Sequence, residues 1–558
     1  MTHGWALVLG VASLVLACEA RPAQPPRAAG PTSLVLIHTA DLHSHLFPER
    51  MKVAAVDAAR GLGTAGQVSE VGGFARIASI VRAIRRGAHD HSLYLDSGDL
   101  IEGTVAFTAF RGEPELRAFS ALGVAAVALG NHDLAPGPAD FADTHRRFAA
   151  FPVLASNVLD NGSELASALA SSQVLDAQGL KVGLIGVANP SSPTGLERPD
   201  NPYGLQLSPT AAAVQASIDH LRAEADVIVA ISHLGFVGDE ALIRATTGLD
   251  VVLGGHQHLA LDDAQQRFDC GPALQAERGC SERRVVLVHS GALGRYVGEV
   301  DLTLTPSDSA SEPQGLEVAV ARHSLLPVSD MIAEDPALAA LLEPYRASLH
   351  AAGFDRPLVF ALGAVERYAA NGGDSALGDL LTDAIRAHAE ADVALLNSTG
   401  IRANLPPGEL TRAQLVAVLP FDDRLTVLSL TGAQLRTVLN QQARVASTRK
   451  CQTPIQISGL RIAITCAGTG SSAAVRLLGS NRELDSRAIY TLVTSEYLAD
   501  GGSGFDSLTE VSTRRALDAD PVDLVLDALH QLPSCAGSAL PCLDPASLRD
   551  GRILIARP

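Results

Sequence analysis

Apolar and polar positions fall into blocks along this chain, and the blocks repeat one rhythm. The runs LVLIHTA, SLYLD, VAAVALG, DVIVAIS and DVVLGG have the length and the β-branched content of buried strands. Between them, apolar residues recur three and four apart, which predicts helices over 73–86 and 211–224, next to strands over 92–96 and 226–231. Two later strands are predicted over 284–289 and 296–304, followed by a polar stretch, 305–314, with the composition of a surface loop. This alternation predicts an α/β domain over 33–327. Ile332, Leu338, Leu341, Leu342, Tyr345 and Leu349 then keep helical spacing, so 329–352 reads as a helix joining two domains, within a connector of 328–355.

A second domain is expected over 356–558. Helices are predicted over 378–391, 411–417 and 431–442, the last two opened by a threonine cap. Strands are predicted over 392–396 and 490–494, the latter leading into the glycine-rich loop Asp500-Gly501-Gly502-Ser503-Gly504. There is no internal repeat and, after the N-terminus, no apolar run long enough for a bilayer.

Length supports the two-domain reading, because 558 residues exceed what one core organises. A hydrophobic fraction of 47% fits a folded chain. The net charge of −18 opposes nucleic-acid binding, and it requires an anionic substrate to meet a local positive site. At the N-terminus, Trp5 to Ala17 is an apolar stretch suited to a signal h-region, although no Lys or Arg precedes it. Val15-Leu16-Ala17-Cys18 resembles a lipobox, so 1–18 reads as a signal peptide and the Pro-rich 19–32 as a tether. An ordinary cleaved signal and an uncleaved anchor are the alternatives. The expected location is the periplasm or cell envelope, with a membrane reached only through a lipid anchor; no oligomeric state is assigned.

Cys18 set aside, six of the seven cysteines remain, close in sequence as Cys270/Cys280, Cys451/Cys466 and Cys535/Cys542. Three short-loop disulfides are the expectation, among fifteen possible connectivities, with free buried thiols as the alternative. An even count behind a signal fits an oxidising compartment. None of the spacings is that of a thiolate metal site.

The candidate chemistry lies at the ends of the five apolar runs. There stand Asp41-Leu42-His43, Gly98-Asp99, Gly130-Asn131-His132-Asp133, Ser232-His233 and Gly254-Gly255-His256-Gln257-His258. Carboxylate, imidazole and amide oxygen are the donors of divalent cations in hydrolytic sites. Asp41 and His43, like His256 and His258, are two apart, so on extended backbone each pair shares a face. Gly98 allows a sharp turn before Asp99, whose carboxylate could bridge two ions. Two cations held close together lower the pKa of a water between them and neutralise phosphoryl oxygens. His38, His45 and His289 lie nearby without a matching role, though His45 could support the ligands from outside.

The five motifs in this order resemble the calcineurin-like metallophosphoesterases and, within them, the bacterial 5′-nucleotidase family. The resemblance implies an N-terminal four-layer α/β/β/α metallophosphoesterase sandwich, a connecting helix and a C-terminal α/β nucleotidase substrate-binding domain. It implies two divalent metal ions (Zn, Mn, Co or Mg). Asp41, His43, Asp99 and His258 would hold the first, and Asp99, Asn131, His233 and His256 the second. His132 would face the substrate, stabilising the transition state or protonating the leaving oxygen. In that family an aspartate three residues on orients the histidine; Ala135 stands there in this chain, and Asp133 is the neighbouring carboxylate.

The second half resembles the family's substrate-binding domain. Asn397-Ser398-Thr399-Gly400-Ile401-Arg402 matches a loop in which Arg402 would bind phosphate, with Asn397 at the base or sugar. Phe421, in Leu419-Pro420-Phe421, and Tyr497 stand where two aromatics would sandwich a nucleobase; as core aromatics they would have only a packing role. Three positions depart from the family. Ser503 replaces the aspartate that grips the ribose diol, Asp423 replaces an asparagine, and an arginine is missing near Gly372-Gly373-Asp374. The implied function is an exported hydrolase of small phosphate esters, nucleotides first. The alternatives are a cyclic-nucleotide phosphodiesterase, a nucleotide-sugar pyrophosphatase, a thiosulfohydrolase or a non-catalytic surface binding module.

Overall fold

The computed structural model describes residues 32–88, 91–159, 163–189, 205–306, 316–421 and 423–557. The signal, lipobox and nearly all of the tether expected at the N-terminus, and most of the polar stretch 305–314, lie outside them. Among the described residues no helix is long and apolar enough to cross a membrane.

Two sheets organise the first half. In one, seven strands run in the order Leu316–Pro327, Tyr296–Pro306, Thr32–Thr39, Ser92–Asp96, Ala126–Ala128, Val153–Leu154, Leu169–Ala170. The last five are parallel, and Tyr296–Pro306 lies antiparallel against the first strand, with Leu36 opposite Val300. The other sheet has six strands, ordered Gln265–Phe268, Arg284–His289, Val251–Gly254, Val227–Ser232, Leu180–Val187, Ser172–Ala177. Its four central strands are parallel.

The sheets face each other across one core, in which Leu34, Leu36 and Leu95 meet Leu184, Val229 and Leu253. The helices Phe74–Gly87 and Glu113–Leu122 bury Phe74, Ile77 and Phe119 against the outer face of the first sheet. Thr210–Leu221 and Phe236–Ala245 bury Ile218 and Ile243 on the other side. These are the four layers α/β/β/α. A strand buried on both faces reads as a continuous apolar run, which is why the five runs were visible in the sequence.

The connecting helix is shorter than its periodicity predicts: it spans Pro336–Ala351, not 329–352. Proline fits the first turn and disfavours helix in the residue before it. Asp335 takes the cap, accepting from the N–H groups of Ala337 and Leu338, while Ser329 pairs with Val71 as an isolated bridge. Along this helix Leu338 and Leu342 belong to the core of the first half and Leu349 to that of the second.

The second half is built on a five-stranded sheet, ordered Ile455–Ser458, Val393–Asn397, Ile489–Ser495, Leu425–Thr431, Arg514–Leu517. Ala376–Ala389 and Gly432–Thr448 are its longest helices. Thr411 and Thr431 each close a capping box, with Gln414 and Gln434 as the reciprocal partners. Disulfides join Cys270 to Cys280, Cys451 to Cys466 and Cys535 to Cys542.

Candidate metal centre and the loops that face it

All five motifs lie at the carboxyl ends of parallel strands, and because the two sheets are stacked, those ends share one edge of the sandwich. Open α/β sheets present ligand sites at such edges. Asp41 and His43 follow Thr32–Thr39, Asp99 follows Ser92–Asp96, and Asn131 and His132 follow Ala126–Ala128; His233 follows Val227–Ser232, and His256 and His258 follow Val251–Gly254.

The pairs do not converge for the reason their spacing suggested. They lie past the strand ends, not on extended backbone, and Asp41, His43, Asp99, His256 and His258 all have φ between 49° and 72°. Left-handed backbone at non-glycine residues costs energy that the surrounding structure must repay, and it clusters at functional sites. Here it folds the chain back so that alternate side chains point into one pocket. Gly98, at φ 90°, completes the turn before Asp99; a Cβ on it would press against the backbone of Ala128 and Gly130.

The side chains meet closely. Asp41, His43 and His258 form one group of potential ligands and Asp99, His233 and His256 a second, each with its donor atoms within 4.8 Å of one another. His43 Nε2 lies 3.1 Å from His258 Nε2 and 3.6 Å from Asp99 Oδ2. His233 Nε2 is 2.9 Å from Asp99 Oδ2, and Asn131 Oδ1 is 3.0 Å from His256 Nδ1. The opposite ring nitrogens are already committed. His43 Nδ1 donates to the carbonyl of Glu102 at 2.8 Å, and His233 Nδ1 to that of Ser97 at 2.6 Å. This pattern fixes the tautomer and leaves Nε2 as the ligand atom. His233 Nε2 is fully buried, and Asp99 is the carboxylate that faces it.

Electrostatics describe the same pocket. Burial pushes the Asp41 carboxyl up to about 7. Burial also works against charge on Asp99, yet His233, His132 and His43 hold it well below the usual carboxylate range. His233 is pushed up to about 10, since Asp99 and Asp41 outweigh its burial. Burial holds His43 and His258 well below the usual imidazole value and lowers His256 to about 4. Two carboxylates thus lie buried beside three or more imidazoles in one pocket. The donor set, oxygen and imidazole nitrogen, suits divalent cations.

The other candidates have different occupations. His38 bonds Ser97 Oγ at 2.9 Å, His289 bonds Asp239 at 2.9 Å, and His45 pairs with Glu49 at 2.8 Å. Asp133 does not reach His132. It accepts from the N–H groups of Gly130, Asp99 and Leu100, which ties the Asp99 loop to the Asn131 loop. His132 Nδ1 bonds Glu102 Oε2 at 2.5 Å, and the amide of His132 donates to Asp99 Oδ1 at 2.7 Å.

Among the described residues of the second half, Arg402 and Phe421 reach the pocket. Arg402 Nη2 lies 3.2 Å from His43 Nε2 and 3.3 Å from His258 Nε2. The Phe421 ring stacks on His132 with centroids 5.7 Å apart. Asn397, Gly400 and Phe421 share the wall of a cavity of about 40 Å³. Tyr497 and Ser503 are tied to each other, with the Ser503 amide donating to the Tyr497 hydroxyl at 3.0 Å, and Asn397 donates to Ser503 Oγ at 3.1 Å. Asp423 accepts the Tyr497 amide at 3.1 Å; burial pushes its carboxyl up to about 6.

Two residues had no signal in the sequence. Glu102 is an ordinary loop glutamate until folding buries it beside His132. Arg367 donates to the carbonyls of Ile401 and Arg402 at 2.9 and 2.6 Å, so a guanidinium stands behind the Arg402 loop although none occurs near Gly373.

Residues 34–260 match the calcineurin-like phosphoesterase family, and residues 358–510 match the 5′-nucleotidase C-terminal domain family. A 5′-nucleotidase from Diplobatis ommata is 27% identical over 90% of this chain and 88% of its own length. The crystal structure of a 5′-nucleotidase precursor from Thermus thermophilus superposes with a TM-score of 0.78 at 26% identity, covering 94% of this chain and 99% of that one. A sulfate thiohydrolase from Thermus thermophilus shares the fold, with a TM-score of 0.71 at 19% identity over 95% and 97% of the two chains.

Proposed function

The chain belongs to the family that joins a calcineurin-like phosphoesterase domain to a 5′-nucleotidase C-terminal domain, and from that premise we propose that it hydrolyses the 5′-phosphate ester of nucleotides with two divalent cations. The observation that carries this reading is the convergence of Asp41, His43, Asp99, Asn131, His233, His256 and His258 at one sheet edge, with Arg402 of the other half on the same pocket. Asp41, His43, Asp99 and His258 would hold one ion, and Asp99, Asn131, His233 and His256 the other; Zn, Mn, Co and Mg are all compatible with these donors. When bound, the ions supply an acidified water and neutralise phosphoryl oxygens.

The chain's own groups do the rest. Arg402 offers a planar fork to the phosphoryl oxygens. His132, at the rim of the pocket, stabilises charge or delivers a proton to the leaving oxygen. Phe421 and Tyr497 stack on the base, and Asn397, Gly400 and Ser503 line its polar side. The cavity beside Asn397 and Phe421, about 40 Å³, is smaller than a nucleobase. Because Arg402 and Phe421 come from one half and the cation ligands from the other, substrate binding involves the two halves closing on each other, with the connector over 329–352 near the hinge. An N-terminal signal and lipid anchor would place the enzyme in the cell envelope, in keeping with three disulfides.

The test is a hydrolysis screen of nucleoside mono-, di- and cyclic phosphates with each metal in turn, with Asp99→Asn as the control. Monophosphates turned over fastest, and not at all by the control, is the expected result. Ser503, where the family has a carboxylate, favours a second reading with another ester; a higher kcat/KM for cyclic nucleotides, nucleotide sugars or thiosulfate-type esters would select it. No turnover with any metal would leave a binding module.

A further inference from the structure

Glu102 contributes two separate groups to the pocket. Its backbone carbonyl accepts from Nδ1 of His43 at 2.8 Å, and its side chain meets Nδ1 of His132 at 2.5 Å. Both partners in the second contact are more than nine-tenths buried. Glu102 itself has φ 63°, the left-handed conformation that side chains other than glycine rarely adopt. The Asp99 loop is thus bent to send a carboxylate back towards the Asn131 loop. The next residue, Gly103, lies so close to His43 that a Cβ there would collide with it.

The alternatives on the histidine's own loop are closed. Ala135 has no donor or acceptor side chain, and both oxygens of Asp133 are held by backbone amides. Two rings also flank His132: Phe421 packs against its face and offers no hydrogen bond along the imidazole edge, and His43, edge-on with centroids 4.9 Å apart, has its own Nδ1 committed to the Glu102 carbonyl.

We infer that Glu102 is the positioning carboxylate of His132, supplied by the Asp99 loop in place of the aspartate that the family carries three residues after the histidine. By accepting the Nδ1 proton, Glu102 sets the ring plane and leaves Nε2 as the nitrogen that meets substrate, and it stabilises the imidazolium whenever the ring is protonated. One loop thereby holds the shared ligand Asp99 and orients the acid–base group. The inference rests on the nucleotidase reading for its consequence in turnover, though not for the contact itself.

The test has two arms. In the metal-free protein labelled with [15N]histidine, the Nδ1 proton of His132 should resonate far downfield, and Glu102→Gln should abolish that signal. In the metal-loaded protein the same variant should lower kcat about 10- to 100-fold while KM and bound metal stay unchanged, and the double variant Glu102→Gln/Ala135→Asp should regain most of the loss. An unaltered resonance, a kcat within about twofold of the parent, or a loss that tracks reduced bound metal and is not regained would overturn the assignment. Because the first arm needs neither metal nor substrate, it still decides the contact if no nucleotide is hydrolysed.

Discussion

The two halves of this protein approach the same pocket under different constraints. On the metal side, Asp41, His43, Asp99, Asn131 and His233 are buried, backbone carbonyls hold the second nitrogens of His43 and His233, and positive φ values set the direction of Asp41, His43, Asp99, His256 and His258. On the substrate side, Tyr497 and Asn397 are only half-buried and Ser503 is exposed, and they hydrogen-bond mainly to one another. A cation tolerates little change in its donor set, so one lost ligand costs the ion. A stacked ring or a ribose contact contributes roughly 1–3 kcal/mol on its own, and its neighbours can absorb the change. On that difference, losing one ligand side chain should cost more than the departures read from the sequence at Ser503, Asp423 and near Gly373.

The contrast can be tested from its strong end to its weak one. Asp99→Asn, or chelation of the native protein, should abolish turnover and strip bound metal, measured by elemental analysis beside a hydrolysis assay. Surviving activity would mean that the cluster is not the catalytic centre. Arg402→Ala should raise KM about 10- to 100-fold, the scale of a hydrogen bond to a charged group, with metal content unchanged. A collapse in bound metal would instead assign the arginine to the cluster it touches.

Tyr497→Ala should raise KM for nucleoside monophosphates by about 5- to 100-fold and leave an ester without a base unaffected, since stacking is worth roughly 1–3 kcal/mol per base. Equal losses on both esters would return Tyr497 to a packing role. The smallest effect is expected for Ser503→Asp, which restores a carboxylate at the sugar. It should lower KM for ribonucleotides about two- to tenfold relative to 2′-deoxyribonucleotides, on the scale of one hydrogen bond. An identical ratio before and after would remove that loop from substrate recognition.

Much of this was legible along the chain. Buried parallel strands announce themselves as uninterrupted apolar runs, polar residues at their ends mark the reactive edge, and a Thr–x–x–Gln cap marks a helix start, as at Thr411 and Thr431. These signals are local, since each arises from residues within one element. The donor set was visible for the same reason: which atoms can bind a cation is a property of side-chain chemistry. Helical periodicity over-extended the connector because it does not register that Asp335-Pro336 must begin the helix. What only the folded molecule decided is non-local. The left-handed turns that direct Asp41, His43, His256 and His258 inward, the reach of Glu102 to His132, the occupation of Asp133 by amides of the Asp99 loop and the placing of Arg367 behind Arg402 all depend on distances between loops that are 30 or more residues apart. Spacing along a chain carries no information about such distances; only packing of the two sheets on a common core sets them.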